Sequence, residues 1–372
     1  MHTERINIVI TCDDDFIQHM GVMLISLLKN TTEPQNINIF FLDHGIKQQS
    51  KDSMNRICSD YKATIHFLEI DGKLFEDFYI SHHINQVTYY RIIAPLVVPR
   101  NIKRVIYIDG DVIVEGDIKE LFRIDLNNKV LGAIPDPYGI ERIQELNIPN
   151  SKYFNAGILL IDVEKWNSKN LTKKLLDYIQ NNNKLKYWDQ DALNANLYDL
   201  WEELSPEWNY QTAIALNKEY SELSPKIIHY TEPQKPWQIY CRHPYSDRYY
   251  KYIEFSEWKQ YNPIPNKIQQ LLKEKKYKYF IFGTGELAKS FYTKVSDDKI
   301  IQGFIDNDSK KWGSLFENKH INSPNVINEF ENIRILVCSS YFEEIKKQLE
   351  SDYYKIENID FFKINIDSNQ FP

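Results

Sequence analysis

Short apolar runs alternate with amphipathic ones along the first seventy residues. Ile6 to Thr11 (INIVIT) predicts a buried strand, and Met20, Met23, Leu24, Leu27 and Leu28 recur at the spacing of one helix face. NTTEPQ breaks that helix, and Ile37 to Leu42 (INIFFL) begins a second strand. A surface helix within KQQSKDSMNRICSDY and a third strand over Ala63 to Ile70 follow. Alternation of strand and helix at this length predicts parallel pairing with right-handed crossovers.

Further on, TYYRIIAPLVVP predicts a helix that lasts until its prolines, and VIYIDGDVIV (Val105 to Val114) a strand buried on both faces. KVLGAIPD and FNAGILLIDV add strands, LTKKLLDYIQ and DQDALNANL add helices, and PKIIHYTEPQKPW is a short strand opening into a proline-containing loop. The character changes near Asn262. NPIPNK reads as a linker and IQQLLKEKKYK as a charged helix, after which KYFIFGTGELAKSF starts a fresh strand, glycine turn and helix. The expected organisation is an α/β domain over residues 1–262, a linker and helix over 263–276, and a small Rossmann-like α/β domain over 277–372.

Composition narrows the partners. Net charge is −7 with no basic stripe, which argues against nucleic acid. Cys12, Cys58, Cys241 and Cys338 have no metal-binding spacing and read as free thiols of a reducing compartment. No apolar run is long enough to span a bilayer and no signal peptide is visible, so the expected location is cytoplasmic, with peripheral contact at an inner membrane face as an option. PWQIYCRHPYSDRYYKYIEFSEWKQY is rich in Tyr, Trp and basic residues. Packing at a domain interface is the favoured reading for it, ahead of an acceptor cleft or a membrane-facing surface.

Within VIYIDGDVIV the two carboxylates of Asp109 and Asp111 are separated only by Gly110. Side chains two apart on a strand point the same way, so the pair converges and repels unless a cation joins it. Gly110 leaves room for a bulky ligand at the backbone. A hard divalent ion holding a diphosphate is one reading. A plain turn between two strands is the other, since DxD is short and common.

In this setting VIYIDGDVIVEGDIKEL resembles the DxD segment of glycosyltransferase family 8, the retaining hexosyltransferases that include glycogenin and bacterial lipopolysaccharide galactosyl- and glucosyltransferases. INIVITCDDDF, TYYRI, YFNAGILLIDVEKW, WDQDALN and HYTEPQKPW agree in type and order over roughly residues 6–262. The resemblance implies an α/β GT-A nucleotide-diphosphosugar fold with a mostly parallel sheet. It also implies a metal-dependent retaining transfer of glucose or galactose from a UDP-hexose to a glycan acceptor, such as lipopolysaccharide, another cell-envelope glycan or a glycoprotein glycan. It makes Asp109, Asp111 and His229 the metal ligands, with Mn²⁺ ahead of Mg²⁺ because one ligand is nitrogen. Thr11, Asp13 and Asp15 match uridine-binding positions, although Asp there also suits a helix N-cap. Arg91, Gly110 and Lys235 fall at the nucleotide and diphosphate, with a structural ion pair to an aspartate as the alternative for Arg91. Asp136, Asn155, Ala156, Asp189 and Gln190 match donor-sugar contacts, and Gln190 or Asp189 the catalytic position. Glu232 departs from the pattern: a small glycine is usual there, and a carboxylate beside a diphosphate is repulsive.

Near the C-terminus GTGELA (Gly283 to Ala288) fits G-x-G-x-x-A between a strand and a helix, with Asp306 ending the next strand. Read literally this predicts NAD. The segment reads as one short sheet, so an accessory module, with oligomer formation as an option, is preferred over a dinucleotide site. Two other functions fit the DxD sheet: a different metal-dependent nucleotide enzyme, and a non-catalytic UDP-sugar-binding protein.

Overall fold

A computed structural model describes residues 4–70, 89–149, 152–182, 185–241, 243–295, 298–352 and 359–364. Its contacts form two compact units, Met1–Thr231 with His243–Lys259, and Glu232–Arg242 with Gln260–Pro372.

The first unit carries β1 (Ile6–Ile10), β2 (Ile37–Asp43), β3 (Thr64–Glu69), β4 (Arg104–Ile108), β5 (Val112–Val114), β6 (Leu131–Pro135), β7 (Phe154–Asp162), β8 (Trp201–Glu203), β9 (Tyr210–Gln211) and β10 (Ile227–His229). Seven of them form a sheet in the order β3-β2-β1-β4-β7-β6-β8. β3, β2, β1 and β4 run parallel, β7 runs antiparallel between β4 and β6, and β8 is parallel to β6. This is the mostly parallel α/β sheet expected. Its central strands are buried because helices cover them, while the edge strands β3 and β8 are partly exposed. Val9, Tyr107, Ala133, Phe154 and Leu159 pack with Ile93, Trp166 and Leu193 in one apolar cluster.

VIYIDGDVIV is not one strand. β4 stops at Ile108 and β5 starts at Val112, in a second, three-stranded sheet of order β5-β10-β9. Two carboxylates cannot continue a ladder walled by apolar side chains on both faces, so the chain leaves the first sheet at Asp109. The convergence of Asp109 and Asp111 therefore comes from a crossing between sheets, not from the two-residue repeat of a strand.

The helix Ile17–Asn30 is buried from His19 to Leu28 and holds β5 in place. Its Ser26 hydroxyl accepts the Val114 N–H at 2.9 Å, and Asn30 Nδ2 donates to the Val114 carbonyl at 2.9 Å. Part of the aromatic segment packs here as well. Tyr249 meets His19 at 2.7 Å, and Asn30 Nδ2 donates to Tyr252 Oη at 2.7 Å. The helix Tyr90–Val97 runs through Pro95 and ends before Pro99, one proline later than expected. Thr88 of TYYRI lies outside the described residues.

In the second unit β11 (Lys278–Phe282), β12 (Ile301–Ile305), β13 (Leu315–Phe316), β14 (Lys319–Asn322), β15 (Ile333–Val337) and β16 (Ile359–Lys363) form a sheet in the order β13-β14-β12-β11-β15-β16. All pairs are parallel except the β13–β14 hairpin. Tyr279 and Ile281 face one apolar cluster, Phe280 and Phe282 another, as the two-residue repeat of a doubly covered strand demands. There is more sheet here than the single short one expected, because β14 and β16 flank the core strands. Among the described residues no helix is long and apolar enough to cross a membrane.

Candidate active site

Two backbone bonds fix the carboxylates. The Asp109 N–H donates to the Gly157 carbonyl at 2.9 Å, extending the β4–β7 ladder, and the Tyr230 N–H donates to the Asp111 carbonyl at 3.1 Å, extending the β5–β10 ladder. Because β10 pairs antiparallel with β5, His229 stands opposite Val112, beside Asp111. Ligand atoms of Asp109, Asp111 and His229 all lie within 4.8 Å of one another. His229 Nε2 is 3.3 Å from Asp111 Oδ1.

The proton on His229 follows from a chain of donors. The Gly157 N–H donates to Asn155 at 3.0 Å, so that atom is Oδ1. Asn155 Oδ1 also accepts at 2.9 Å from Asn209, which must use Nδ2 and turn its Oδ1 to His229 Nδ1 at 2.8 Å. Nδ1 therefore carries the hydrogen, and in the neutral ring Nε2 keeps its lone pair toward the carboxylates. That is the tautomer a metal-binding imidazole needs, set by its outer partner. Asn209 is fully buried and was not foreseen; nothing local in PEWNYQ marks it.

Charge points the same way. The Arg91 guanidinium lies 3.1 Å from Asp109 and 2.8 Å from Asp189, and donates to the Ala156 carbonyl at 2.6 Å. It also stacks on Tyr107, whose hydroxyl donates to Asp109 Oδ1 at 2.9 Å. Two carboxylates thus meet one guanidinium, with the Asp111 charge nearby as a third. Burial, only partly offset by Arg91, raises Asp109 above the usual carboxylate range and pushes Asp189 up to about 6. Burial holds His19 neutral, down to about 3, against the pull of Asp111. Excess negative charge, a lone pair and two convergent carboxylates fit a divalent cation.

The sugar-side residues form a second cluster. Ala156 N–H donates to Gln190 Oε1 at 2.9 Å, so Gln190 Nε2 is the group that donates to Asp136 Oδ2, also at 2.9 Å. Asn155 Nδ2 reaches the same oxygen at 3.5 Å. FNAG and WDQD are joined by Asn194, whose side chain bonds both the N–H and the carbonyl of Phe154. Trp188, just before Asp189, has φ of 37°, an uncommon conformation for a bulky residue. Asp191, the second aspartate of WDQD, is a buried clamp on Arg142 and Tyr153.

Other expected contacts sit differently. The Thr11 hydroxyl donates to the Leu42 carbonyl at 2.9 Å inside the unit. Asp13 caps a short 3₁₀ helix, accepting from the Phe16 N–H at 3.0 Å, while Asp15 is exposed. Arg91 forms the internal ion pairs given as its alternative reading. Gly110 is needed for packing: a Cβ there would lie 2.8 Å from the Phe16 ring and 2.9 Å from the end of Met20. Glu232 and Lys235 belong to the segment that packs with the second unit.

Gly157 was quoted in FNAG without a role. A Cβ on it would collide with the His229 ring and lie 2.9 Å from Asp109 Oδ2. Gly157→Ala is expected to dislodge His229 and, since the three residues could hold a divalent cation, to weaken binding of added Mn²⁺ by about tenfold to a hundredfold, the range for disturbed outer partners of a metal ligand. Isothermal titration with Mn²⁺ reads this, and wild-type affinity would refute it.

The profile of "Glycosyl transferase family 8" matches residues 7–241, more than half of the chain. The chain belongs to glycosyltransferase family 8. A "C2185-like, N-terminal" profile matches residues 275–359. The chain is 37% identical over 276 residues to general stress protein A of Bacillus subtilis, covering 69% of this chain and 96% of that protein. It is 26% identical to lipopolysaccharide 1,2-glucosyltransferase of Escherichia coli, covering 78% and 93%. A crystal structure of the galactosyltransferase LgtC with donor and acceptor sugar analogues superposes with a TM-score of 0.60 at 24% identity, over 68% of this chain and 99% of that one. At that identity the likeness establishes the fold, GT-A.

Proposed function

We propose that this family 8 enzyme transfers glucose or galactose from a UDP-hexose, with retention of configuration, to a glycan of the cell envelope or of a glycoprotein, and that it needs a divalent cation, Mn²⁺ by preference. The observation that carries the reading is the convergence of Asp109, Asp111 and the Nε2 lone pair of His229. Lipopolysaccharide hexosyltransferases among the relatives support the choice of hexose and acceptor class.

Bound by these three residues, the cation would supply Lewis-acid stabilisation to the departing diphosphate. Asp109 would hold it through the oxygen left open, since Tyr107 and Arg91 both engage Oδ1. The segment around Asp13 and Asp15 is proposed to hold uridine, and Lys235 to neutralise charge on the diphosphate. Asp136 and Asn155 would read the hexose hydroxyls.

Front-face attack is favoured over a double displacement. A covalent intermediate needs a carboxylate nucleophile on the far face of the sugar. Asp189 is only 5% exposed and engaged by Arg91, and Gln190 is an amide pinned at both ends. The acceptor hydroxyl would then pass its proton to the leaving phosphate, with Gln190 holding the sugar beside Asp136.

The test is UDP-hexose turnover with cell-envelope glycans and glycoproteins, followed by mass spectrometry with and without Mn²⁺. The expected products are a hexosylated acceptor and UDP. Release of pyrophosphate would indicate a nucleotidyltransferase, and no turnover of either hexose would remove the reading. Gln190→Ala is expected to lower kcat by about a hundredfold, the scale of one lost preorganised group. Full activity would end its assigned role.

A further inference from the structure

The GTGELA motif opens a cavity of about 660 Å³ in the second unit, a volume that suits a nucleotide-sized ligand. Its position follows from strand order. β12 and β14 lie on one side of β11, and β15 and β16 on the other, so the chain reverses direction between β11 and β15. The strands stay parallel, but they are added first to one side of β11 and then to the other. In parallel α/β sheets such a reversal of strand order opens a crevice beyond the strand ends, where ligands bind. The cavity is lined by the turns after β11 (Gly283 to Leu287), after β12 (Asp306 and Asn307) and after β15 (Cys338 to Tyr341).

Two glycines shape it differently. Gly283 has φ of +113°, and a Cβ on it would lie 2.7 Å from the Cys338 carbonyl, so packing and backbone both require it. Gly285 has φ of −94°, and a Cβ there would meet nothing within 4 Å. Among the described residues no contact calls for a glycine at 285, and Gly285 lines the cavity.

The polar groups are spaced for a ribose and a phosphate. Asp306 Oδ1 accepts the Asp308 N–H at 2.9 Å, and Oδ2 takes the Thr284 hydroxyl and the Lys311 ammonium, the latter at 2.9 Å. This keeps the carboxylate ionised and oriented as an acceptor beyond the second strand, where a ribose diol would lie. Lys311 Nζ is also 3.0 Å from the Thr284 hydroxyl, beside the glycine turn. It offsets Glu286 and Glu344, which also line the cavity. The helix Glu286–Lys294 starts without a side-chain cap. Ile345 and the 65% exposed Tyr341 give a base an apolar wall and a stacking face.

We infer that this crevice binds a nucleotide, with the ribose on Asp306 and the phosphate over the Gly283–Gly285 turn beside Lys311. The site is independent of the transferase reading and lies wholly within the second unit. It revises the expectation of a purely accessory module.

Isothermal titration of the full-length protein with ADP, NAD⁺ and UDP, in EDTA to suppress cation-dependent binding, tests it. At least one nucleotide should bind once per chain. Gly285→Val, which adds bulk at a cavity-lining position with open space beside it, and Asp306→Ala should each weaken that binding by about tenfold or more. Gly285→Val should keep the wild-type melting temperature, so that loss of binding is not loss of fold. Adenine and uracil arms distinguish the base, and the NAD⁺ arm distinguishes a dinucleotide from a single nucleotide. Absence of binding by all three at millimolar concentration, or binding that Gly285→Val leaves unchanged, would overturn the assignment.

Discussion

An Asp111→Asn enzyme is expected to lose hexosyl transfer by about a thousandfold, roughly 4 kcal/mol of transition-state stabilisation, while keeping its fold. Asp111 is the informative choice of the two aspartates. Asp109 is also tied to Arg91 and Tyr107, so its replacement disturbs the packing as well. The Asp111 carboxylate faces His229 Nε2, and its backbone carbonyl, which the substitution leaves intact, carries the β5–β10 ladder. Asparagine keeps the shape and removes the charge. The measurement is kcat/KM across an Mn²⁺ series, with cation binding read separately by titration. Weaker Mn²⁺ binding together with the lost rate is the expected pair. Unchanged Mn²⁺ affinity would dismiss the three-residue metal site even if the rate fell.

The largest effect on stability belongs to Arg91→Met. The guanidinium sits between Asp109 and Asp189 with 13% of its side chain exposed, and Asp189 is 5% exposed. Removing one partner of a buried ion pair costs about 3–5 kcal/mol, because the remaining charges stay desolvated. For a unit of this size that corresponds to a fall in melting temperature of roughly 10 °C. Burial already pushes Asp189 up to about 6 with the arginine in place. Added Mn²⁺ is expected to return part of the loss, since the cation takes up charge that Arg91 no longer balances. A variant melting within a degree of wild type would show that Arg91 is not the structural partner its contacts indicate.

These expectations separate what was legible in the chain from what was not. Asp109 and Asp111 could be named because local pattern marks them, as a charged break in an apolar run, whereas His229 joined them only through the resemblance of HYTEPQKPW to family 8. How they meet could not be read. The strand repeat suggested a shared strand face, whereas the pair spans the gap between two sheets, and His229 arrives through pairing of β10 with β5. Arg91 shows the same limit from the other side. Its sequence neighbours allow either a phosphate contact or an ion pair, and only the packing of Asp189 against it reveals the pair.

By itself, the sequence determined the alternation of strands and helices, the α/β class and the residue types available for chemistry. Periodicity and glycine turns act over a few neighbours and leave their trace in the chain. The tautomer of His229, the necessity of Gly157 and the role of Asn209 were decided only by tertiary structure. Residues 155 and 157 lie on β7, 209 ends the turn before β9 and 229 ends β10, and the contacts that join these three segments form only when they are packed together. The same holds for the crevice at Gly285, which depends on where β15 is inserted beside β11.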